Sequence, residues 1–138
     1  MLTGISTACL YPMETERALE VMLGLGFDCF EVFANCESEL TDKYIETLGK
    51  MMAARGARVY SLHLFTGSYE PFMFFSNYKR RFDDSIKQFR RYFRSARLLG
   101  ASVVVFHGGH RNALMEIEEY CERFLLPAAG SPSPARGR

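Results

Sequence analysis

The sequence predicts an α/β protein made of parallel strands joined by crossover helices, and three observations carry this prediction. Short apolar segments alternate with amphipathic helical patterns four times, which gives the order βαβαβαβα. The central strand segments are apolar on both faces, as parallel strands covered by helices require. A glycine follows each of the first three helical patterns, at Gly26, Gly56 and Gly100, where it can end the helix.

The first two strand–helix units occupy residues 2–55. A short apolar run at 2–7 is the first predicted strand, and Pro12 opens a helix that continues to about residue 25. The second predicted strand covers 27–33. The helix at 41–55 has Tyr44, Ile45, Leu48, Met51 and Met52 at helical spacing, with charged and polar residues on its other face.

The third and fourth units follow the same order. The third predicted strand covers 57–64, and a long aromatic segment at 65–78, without secondary structure of its own, precedes a helix that runs to residue 99. The buried side of this helix is predicted to carry Phe82, Ile86, Phe89, Phe93 and Ala96. The fourth predicted strand covers 101–107, and Asn112 can cap a fourth helix. The apolar stripe of that helix is Leu114, Ile117, Cys121 and Phe124.

The composition changes abruptly after residue 126. Residues 128–138 contain only Ala, Gly, Ser, Pro and Arg, so they offer no large apolar side chain to a core. We therefore expect one domain at 1–126 and a disordered segment at 127–138. A flexible natural tail and a truncated or frameshifted reading frame both explain this segment, since it begins where another strand of the series is due.

Charge and cysteine content narrow the function classes. The 138 residues carry 17 basic and 16 acidic side chains, a net charge of +1, which argues against bulk attraction to nucleic acid or anionic membrane. The four cysteines form no C-x-x-C pair, and no apolar stretch approaches the length of a membrane span. No secretory leader is recognisable at the N-terminus. These features predict a reduced, soluble, cytoplasmic protein.

Three polar side chains lie at or near the ends of predicted strands. His63 and His107 close the third and fourth strands, and Glu31 lies near the end of the second. The carboxyl ends of parallel strands carry the chemistry in α/β folds, and imidazole and carboxylate groups can bind a metal or move a proton. Successive side chains of a strand point to opposite faces, so Val59, Ser61 and His63 are predicted to share one face. Val103, Val105 and His107 are predicted to share one face for the same reason. A structural role for each histidine, as a hydrogen-bonded strand-end residue, remains the alternative.

Three further features have both a functional and a structural interpretation. The first is the segment His107-Gly-Gly-His110-Arg111. Its glycines would let a ligand approach the main chain, and Arg111 could bind an anion such as phosphate. The structural interpretation is a plain turn before a helix. The aromatic segment at 65–78 is either a lid or an interface patch. The third helix carries eight basic residues, which indicate a solvated outer face more often than a nucleic-acid footprint: Lys79, Arg80, Arg81, Lys87, Arg90, Arg91, Arg94 and Arg97.

Four segments of the chain resemble the sugar phosphate isomerase/epimerase family. They are Gly4-Ile-Ser-Thr-Ala-Cys-Leu-Tyr-Pro12, Gly26-Phe-Asp-Cys-Phe-Glu31-Val-Phe, Ser61-Leu-His63-Leu-Phe-Thr-Gly67 and Val105-Phe-His107-Gly108. This family belongs to the xylose isomerase-like TIM barrels, which also include the endonuclease IV type of apurinic endonuclease. The resemblance covers residues 2–125 and the first four βα units of an eightfold barrel, so it implies an incomplete TIM (β/α)8 barrel.

The resemblance implies a metal-dependent isomerisation or epimerisation of a small sugar or sugar phosphate. A divalent metal (Zn, Mn or Mg) would polarise the substrate oxygens, and carboxylates would act as acid and base. In the endonuclease branch, histidines at the positions of His63 and His107 bind metal. In the epimerase branch, early strand-end residues line the substrate pocket, which implies substrate-binding roles for Thr7, Glu31, His63, His107 and Arg111. The main metal ligands and the acid/base glutamates come from later strands there, so we expect this chain alone to be inactive and to bind metal weakly or not at all.

Two other functions remain open at this point. One is an endonuclease IV-like nuclease that cleaves at abasic sites, with the basic helix following DNA. The other is a non-enzymatic half-barrel that self-associates through its open sheet edges, because unpaired edge strands expose backbone groups.

Overall fold

The computed structural model describes residues 3–75 and 77–108. These residues form two compact units. The first comprises 3–65 and 89–106, and the other described residues belong to the second.

The described elements alternate between strand and helix along the chain. In order they are β1 (Ile5–Ser6), α1 (Thr15–Gly24), β2 (Cys29–Ala34), α2 (Asp42–Ala53), β3 (Arg58–Leu64), α3 (Glu70–Phe74), α4 (Lys79–Leu99) and β4 (Val103–Val105). Short 3-10 turns lie at Thr7–Leu10, Glu37–Leu40 and Phe65–Ser68.

The four strands form one parallel sheet in the order β1-β2-β3-β4. Each strand therefore pairs with the next one along the chain, and a crossover containing a helix connects every pair. The predicted α/β class with parallel strands is confirmed.

One face of the sheet is packed and the other is partly open. Phe30 and Val32 of β2 and Leu62 and Leu64 of β3 are buried, whereas Glu31, Phe33 and His63 between them are only half-buried. The helices contribute apolar stripes to the core of the first unit: Ala18, Leu19 and Met22 from α1, and Ile45, Leu48 and Met52 from α2. The half-buried face carries Glu31, which lies inside β2 and not at its end as predicted, and His63, which lies next to the last residue of β3.

Several elements are shorter than the sequence pattern predicts. β1 ends at Ser6 because the chain turns into a 3-10 turn, where the Ser6 hydroxyl accepts a hydrogen bond from the Ala8 N–H at 3.3 Å. Helix α1 begins at Thr15 and not at Pro12, since Glu14 still has extended backbone angles. β4 covers Val103–Val105, so His107 lies beyond the strand and not at its last position.

The prediction of a segment without secondary structure at 65–78 is wrong. A 3-10 turn at Phe65–Ser68 is followed by the helix α3. Pro71 lies in the first turn of α3, where a missing N–H is not needed for a helical hydrogen bond.

The buried side of α4 differs in part from the predicted stripe. Phe89 and Ala96 are buried as predicted, but Phe93 is 41% exposed and Tyr92 takes the buried position. The Tyr92 hydroxyl donates a hydrogen bond to Glu37 at 2.6 Å, so the buried ring keeps a partner for its polar end. Tyr92 and Phe93 lie three and four residues after Phe89, so helical spacing alone does not decide which of the two is buried.

The predicted fourth helix and the segment at 127–138 lie outside the described residues. Within residues 3–75 and 77–108, no helix has the length and apolar character needed to cross a bilayer. Cys29 is buried, whereas Cys9 is exposed on the 3-10 turn after β1.

Candidate functional site

Glu31 lies at the centre of a polar cluster on the half-buried face of the sheet. In the parallel register Ser6 of β1 pairs with Glu31 of β2, and Glu31 pairs with Ser61 of β3. Paired residues of neighbouring strands project to the same face, so three polar side chains meet there. The Ser6 hydroxyl donates to Glu31 Oε1 at 2.8 Å and the Ser61 hydroxyl donates to Oε2 at 3.3 Å.

These neighbours decide the charge state of Glu31. Burial would raise the pKa of the Glu31 carboxyl, but the hydrogen bonds from Ser6, His63 and Ser61 together outweigh it, so the pKa lies below its usual range. Glu31 is therefore an ionised hydrogen-bond acceptor at neutral pH.

His63 contacts the same carboxylate from β3. Its Nδ1 lies 3.3 Å from Glu31 Oε1, and its side chain is 21% exposed. The ring meets the phenyl ring of Phe33 edge-on, with 4.7 Å between the ring centres. The aromatic contact and the carboxylate fix the ring plane and direct Nδ1 towards Glu31.

A register irregularity changes which residues share a face on β3. Phe30 pairs with Val59 and Glu31 pairs with Ser61, so Tyr60 is an extra residue on β3. Phe30 and Glu31 point to opposite faces, and Val59 and Ser61 therefore do so as well. The predicted common face of Val59 with Ser61 and His63 is wrong, because strict alternation does not anticipate such a shift. Ser61 and His63 do share a face.

A cavity of about 480 Å³ adjoins this cluster in the first unit. Ser6, Glu31 and Ser61 provide its polar lining, and Ile5, Phe30 and Tyr60 are among its apolar residues. Such a cavity combines an anionic acceptor, two hydroxyl groups and apolar walls, which is a lining suited to a small polyhydroxylated molecule.

Thr7 lies directly after Ser6 and is buried. Its hydroxyl oxygen accepts a hydrogen bond from the Phe33 N–H at 2.9 Å, so it holds the 3-10 turn after β1 against the end of β2. The substrate-binding role predicted for Thr7 is not tested by this contact.

His107 belongs to the second unit, so its placement relative to Glu31 and His63 stays a prediction. Its side chain is 42% exposed, and its Nδ1 lies 3.5 Å from Oε1 of Glu70, a residue with 0% exposure. Arg111 and His110 lie outside the described residues.

Glu70 is the residue that the sequence analysis missed. Its Oε2 accepts the main-chain N–H groups of His107 at 2.6 Å and Gly108 at 3.1 Å, and its Oε1 accepts the Thr66 hydroxyl at 3.0 Å. A carboxylate costs several kcal/mol to bury unless donors surround it, as they do here. The one signal in the sequence was an acidic residue inside a strongly apolar and aromatic stretch.

The basic residues of α4 lie on its exposed side, as predicted. Four of them contact carboxylates: Lys79 with Asp83, Lys87 with Asp84, Arg91 with Glu37, and Arg94 with Asp42. The hydrogen bonds from Arg94 lower the pKa of the exposed Asp42 carboxyl. These contacts show surface ion pairing along the helix.

The carboxylate and imidazole groups near Glu31 are also the groups that could bind a metal ion. Among the described residues, no group of three or more His, Cys, Asp or Glu side chains is arranged to hold a metal ion. Glu31 and His63 come together as a pair, which is one ligand fewer than a catalytic metal site usually has.

A parallel sheet of strands joined by helices is also found in known proteins. The sequence profile of the xylose isomerase-like TIM barrel family matches residues 19–126. The chain belongs to this family. No curated relative matches the sequence.

Solved structures of the xylose isomerase-like fold agree with this assignment. A D-psicose 3-epimerase determined in the presence of D-fructose superposes with a TM-score of 0.72 at 16% identity, over 94% of this chain and 47% of its own. A D-tagatose 3-epimerase-like protein gives 0.73 at 19% identity, also over 94% and 47%. The D-psicose 3-epimerase of Clostridium cellulolyticum H10 with D-tagatose gives 0.71 at 17%, again over 94% and 47%. At these low sequence identities, the similarity to the solved structures shows the fold alone.

The chain spans about half of the length of these solved structures. The four strands of its described residues therefore correspond to part of the barrel found in this xylose isomerase-like family.

Proposed function

We propose that this chain provides the substrate-binding side of a barrel that isomerises or epimerises a small ketose or its phosphate with the help of a divalent metal. The observation that carries the proposal is the cluster of Glu31 with Ser6, Ser61 and His63 on the half-buried face of the sheet. Matched structures named as 3-epimerases of D-psicose and L-ribulose support the substrate class.

The chemistry of the cluster fits a sugar. An ionised carboxylate accepts hydrogen bonds from hydroxyl groups, and a sugar offers several of them in a fixed arrangement. Glu31 would hold one sugar hydroxyl, and the hydroxyl groups of Ser6 and Ser61 keep its two oxygens oriented. The imidazole of His63 lies against the same carboxylate through Nδ1 and adds a second polar group to the site.

The proposed reaction moves a proton at the carbon next to the carbonyl of the ketose. A divalent metal would supply polarisation of the substrate oxygens. The described residues offer the pair of His63 and Glu31 towards such an ion, and they contain no three-ligand site. The roles assigned to these side chains are therefore to bind and orient the substrate.

We further propose that these 138 residues do not turn over a ketose alone. The matched epimerase structures are about twice as long, and the family resemblance implies that the acid and base carboxylates come from later strands. A complete barrel needs about 250 residues. Substrate binding without turnover is then the expected behaviour.

Nuclear magnetic resonance tests the binding site directly. Addition of D-fructose at high millimolar concentration should shift the amide signals of Ser6, Glu31, Ser61 and His63 together. Glu31→Gln should abolish most of these shifts, because it removes the anionic acceptor. Glu20→Gln makes the same chemical change at an exposed carboxylate paired with Arg17 and should leave the shifts intact.

Two results would overturn the proposal. One is an absence of shifts in this cluster, and the other is a set of shifts that Glu31→Gln leaves unchanged. Sustained conversion of a ketose to its epimer by the 138-residue chain with added Mn²⁺ would contradict the proposed inactivity while leaving the binding site in place.

A further inference from the structure

We propose that Thr7 and Thr15 are positioning residues for His63. Their hydroxyl groups hold the main chain of β2 at Phe33, and the ring of Phe33 sets the orientation of the imidazole. The placement of the His63 ring follows from contacts within the first unit, whereas its consequence for a bound sugar rests on the proposed function.

Phe33 lies where β2 extends past the end of its neighbour β1. The last pair of their ladder joins Ser6 to Glu31, so Phe33 is two residues beyond it. The N–H and C=O groups of one residue in a strand point towards the same neighbouring strand. Main-chain groups inside a protein need hydrogen-bond partners, so both groups of Phe33 need partners on the side where β1 has ended.

The hydroxyl oxygen of Thr7 replaces the missing strand at the N–H group. It accepts the Phe33 N–H at 2.9 Å, and Thr7 is 4% exposed. A buried N–H group that loses its acceptor is costly. Without this hydroxyl group, the main chain at Phe33 would therefore shift towards another acceptor.

Thr15, the first residue of α1, serves the carbonyl side of Phe33 and is also buried. Its hydroxyl group lies 3.2 Å from the Phe33 carbonyl oxygen and 3.2 Å from each carboxylate oxygen of Glu39, so its one hydrogen can serve any of these acceptors. The Asn35 side chain donates to the Thr15 hydroxyl oxygen at 3.0 Å and to the Phe33 carbonyl oxygen at 3.4 Å. The end of β2 is thus fixed to the start of a helix.

The ring of Phe33 transmits this placement to His63. The two residues pair in the ladder between β2 and β3, and their rings meet edge-on with 4.7 Å between the centres. A shift of the main chain at Phe33 would therefore move the ring that packs against the imidazole. Nδ1 of His63 lies 3.3 Å from Glu31 Oε1, at the long end of hydrogen-bond distances, so a small rotation of the imidazole would break this contact.

The unmodified full chain provides the first test. Nuclear Overhauser spectra should show a direct effect between the ring protons of Phe33 and His63, and the Phe33 amide should exchange slowly with solvent, as a hydrogen-bonded N–H does. Absence of the effect between the rings would overturn the proposal. Fast exchange of the Phe33 amide would overturn the role of Thr7, whatever the variants show.

Phe33→Leu tests the contact between the rings. It should change the ring shifts of His63, and the new shifts are the signature of an imidazole that has lost its aromatic neighbour. Phe33→Leu with the His63 signals of the unmodified chain, recorded at the same pH, would overturn the proposal.

Variants of Thr7 test the hydroxyl group. Thr7→Val removes the acceptor but keeps the shape, so it should move the His63 ring shifts part of the way towards those of Phe33→Leu. Thr7→Ser should retain the shifts of the unmodified chain. Thr47→Val is the matched control, since the exposed Thr47 hydroxyl donates to the Lys43 carbonyl at 3.0 Å within α2. A purely structural role would lower the stability of Thr7→Val without moving the His63 shifts, and that result would overturn the proposal.

Thr15→Val extends the test to the carbonyl side. It should move the His63 shifts in the same direction as Thr7→Val, and it decides the question if Thr7→Val does not fold. A folded Thr15→Val with unchanged His63 signals would remove Thr15 from the proposal. If neither valine variant folds, the exchange of the Phe33 amide and the spectra of Phe33→Leu decide.

A titration with D-fructose separates this inference from the proposed function. The D-fructose concentration at half of the maximal shift should rise in Thr7→Val and stay unchanged in Thr7→Ser and Thr47→Val. An unchanged midpoint in a Thr7→Val protein with altered His63 signals would overturn the effect of Thr7 on the ligand site. If the unmodified chain does not bind D-fructose while the His63 signals behave as expected, the proposed function fails and this inference stands.

Discussion

Nδ1 of His63 lies 3.3 Å from Oε1 of Glu31, although 32 positions separate these two residues in the chain. Glu31 pairs with Ser61 in the ladder between β2 and β3, and His63 is two residues further along its strand. The contact is therefore diagonal across the sheet. It brings an imidazole and a carboxylate together on the half-buried face, with His63 close to the carboxyl end of β3, the end at which parallel α/β folds place their ligands.

Replacement of Ser6 by alanine should raise the pKa of the Glu31 carboxyl. Burial raises this pKa and the hydrogen bonds from Ser6, His63 and Ser61 lower it further than burial raises it, so loss of the 2.8 Å bond from Ser6 moves it back towards 4.5. A titration of the side-chain ¹³C signal of Glu31 measures this. Ser38→Ala, at an exposed serine, is the matched control.

The same substitution predicts a change in acid stability. A lowered pKa in the folded protein contributes stability above the unfolded value, and this contribution is lost as the pH falls through the folded pKa. Ser6→Ala should cost about 1 kcal/mol of unfolding free energy at neutral pH and less below both pKa values. A cost that is equal at neutral and acidic pH would contradict the role of this hydrogen bond.

Two phenylalanines of α4 that differ in burial should differ in their contribution to the free energy of unfolding. Phe89 is buried and its ring meets those of Tyr92 and Phe106 at 5.3 and 5.7 Å, so Phe89→Ala should reduce the free energy of unfolding by about 3–5 kcal/mol. Phe93 is 41% exposed, and the same truncation there should cost about 1 kcal/mol or less. Chemical denaturation of both variants checks the difference, and equal losses would contradict the assigned buried side.

The order of the strands and the positions of the helices could be predicted because the spacing of apolar residues in the sequence indicates which side of each element is buried. Gly26 and Gly56 follow α1 and α2 with φ angles of 90° and 65°, which glycine adopts without strain. The pattern of a single strand does not show a register shift between two strands, so the face predicted for Val59 was wrong. A local pattern also does not show a long-range partner of a buried charge, so the role of Glu70 was visible only once His107 and Gly108 were in place.

The basic side of α4 predicts weak binding to DNA. Lys79, Lys87, Arg91 and Arg94 contact carboxylates, which reduces the positive potential available to phosphates. We expect a duplex with an abasic site to bind no more tightly than non-specific DNA, with a dissociation constant on the order of 10⁻⁴–10⁻⁶ M, and to stay uncut. Cleavage that is lost in His63→Ala would instead favour the nuclease function.

We predict that the protein self-associates through the outer strands of its sheet. β1 and β4 are the outer strands in the described part of the chain, and Val103 of β4 is 41% exposed. Light scattering should show a mean mass that rises with protein concentration. Val103→Lys should reduce this rise, because an edge lysine opposes strand pairing. Leu98→Lys, at an equally exposed position on α4, should not, and a concentration-independent monomer mass would contradict the prediction.

The central claim is that Glu31 and His63 serve one ligand site on the half-buried face of the sheet. Paramagnetic broadening by Mn²⁺, titrated into the ¹⁵N-histidine-labelled full chain, tests it most directly, because one ion broadens only nearby nuclei. We predict that the ring signals of His63 broaden as Mn²⁺ is added, and that Glu31→Gln shifts this response to higher Mn²⁺ concentration. A His63 response that Glu31→Gln leaves unchanged would contradict the claim.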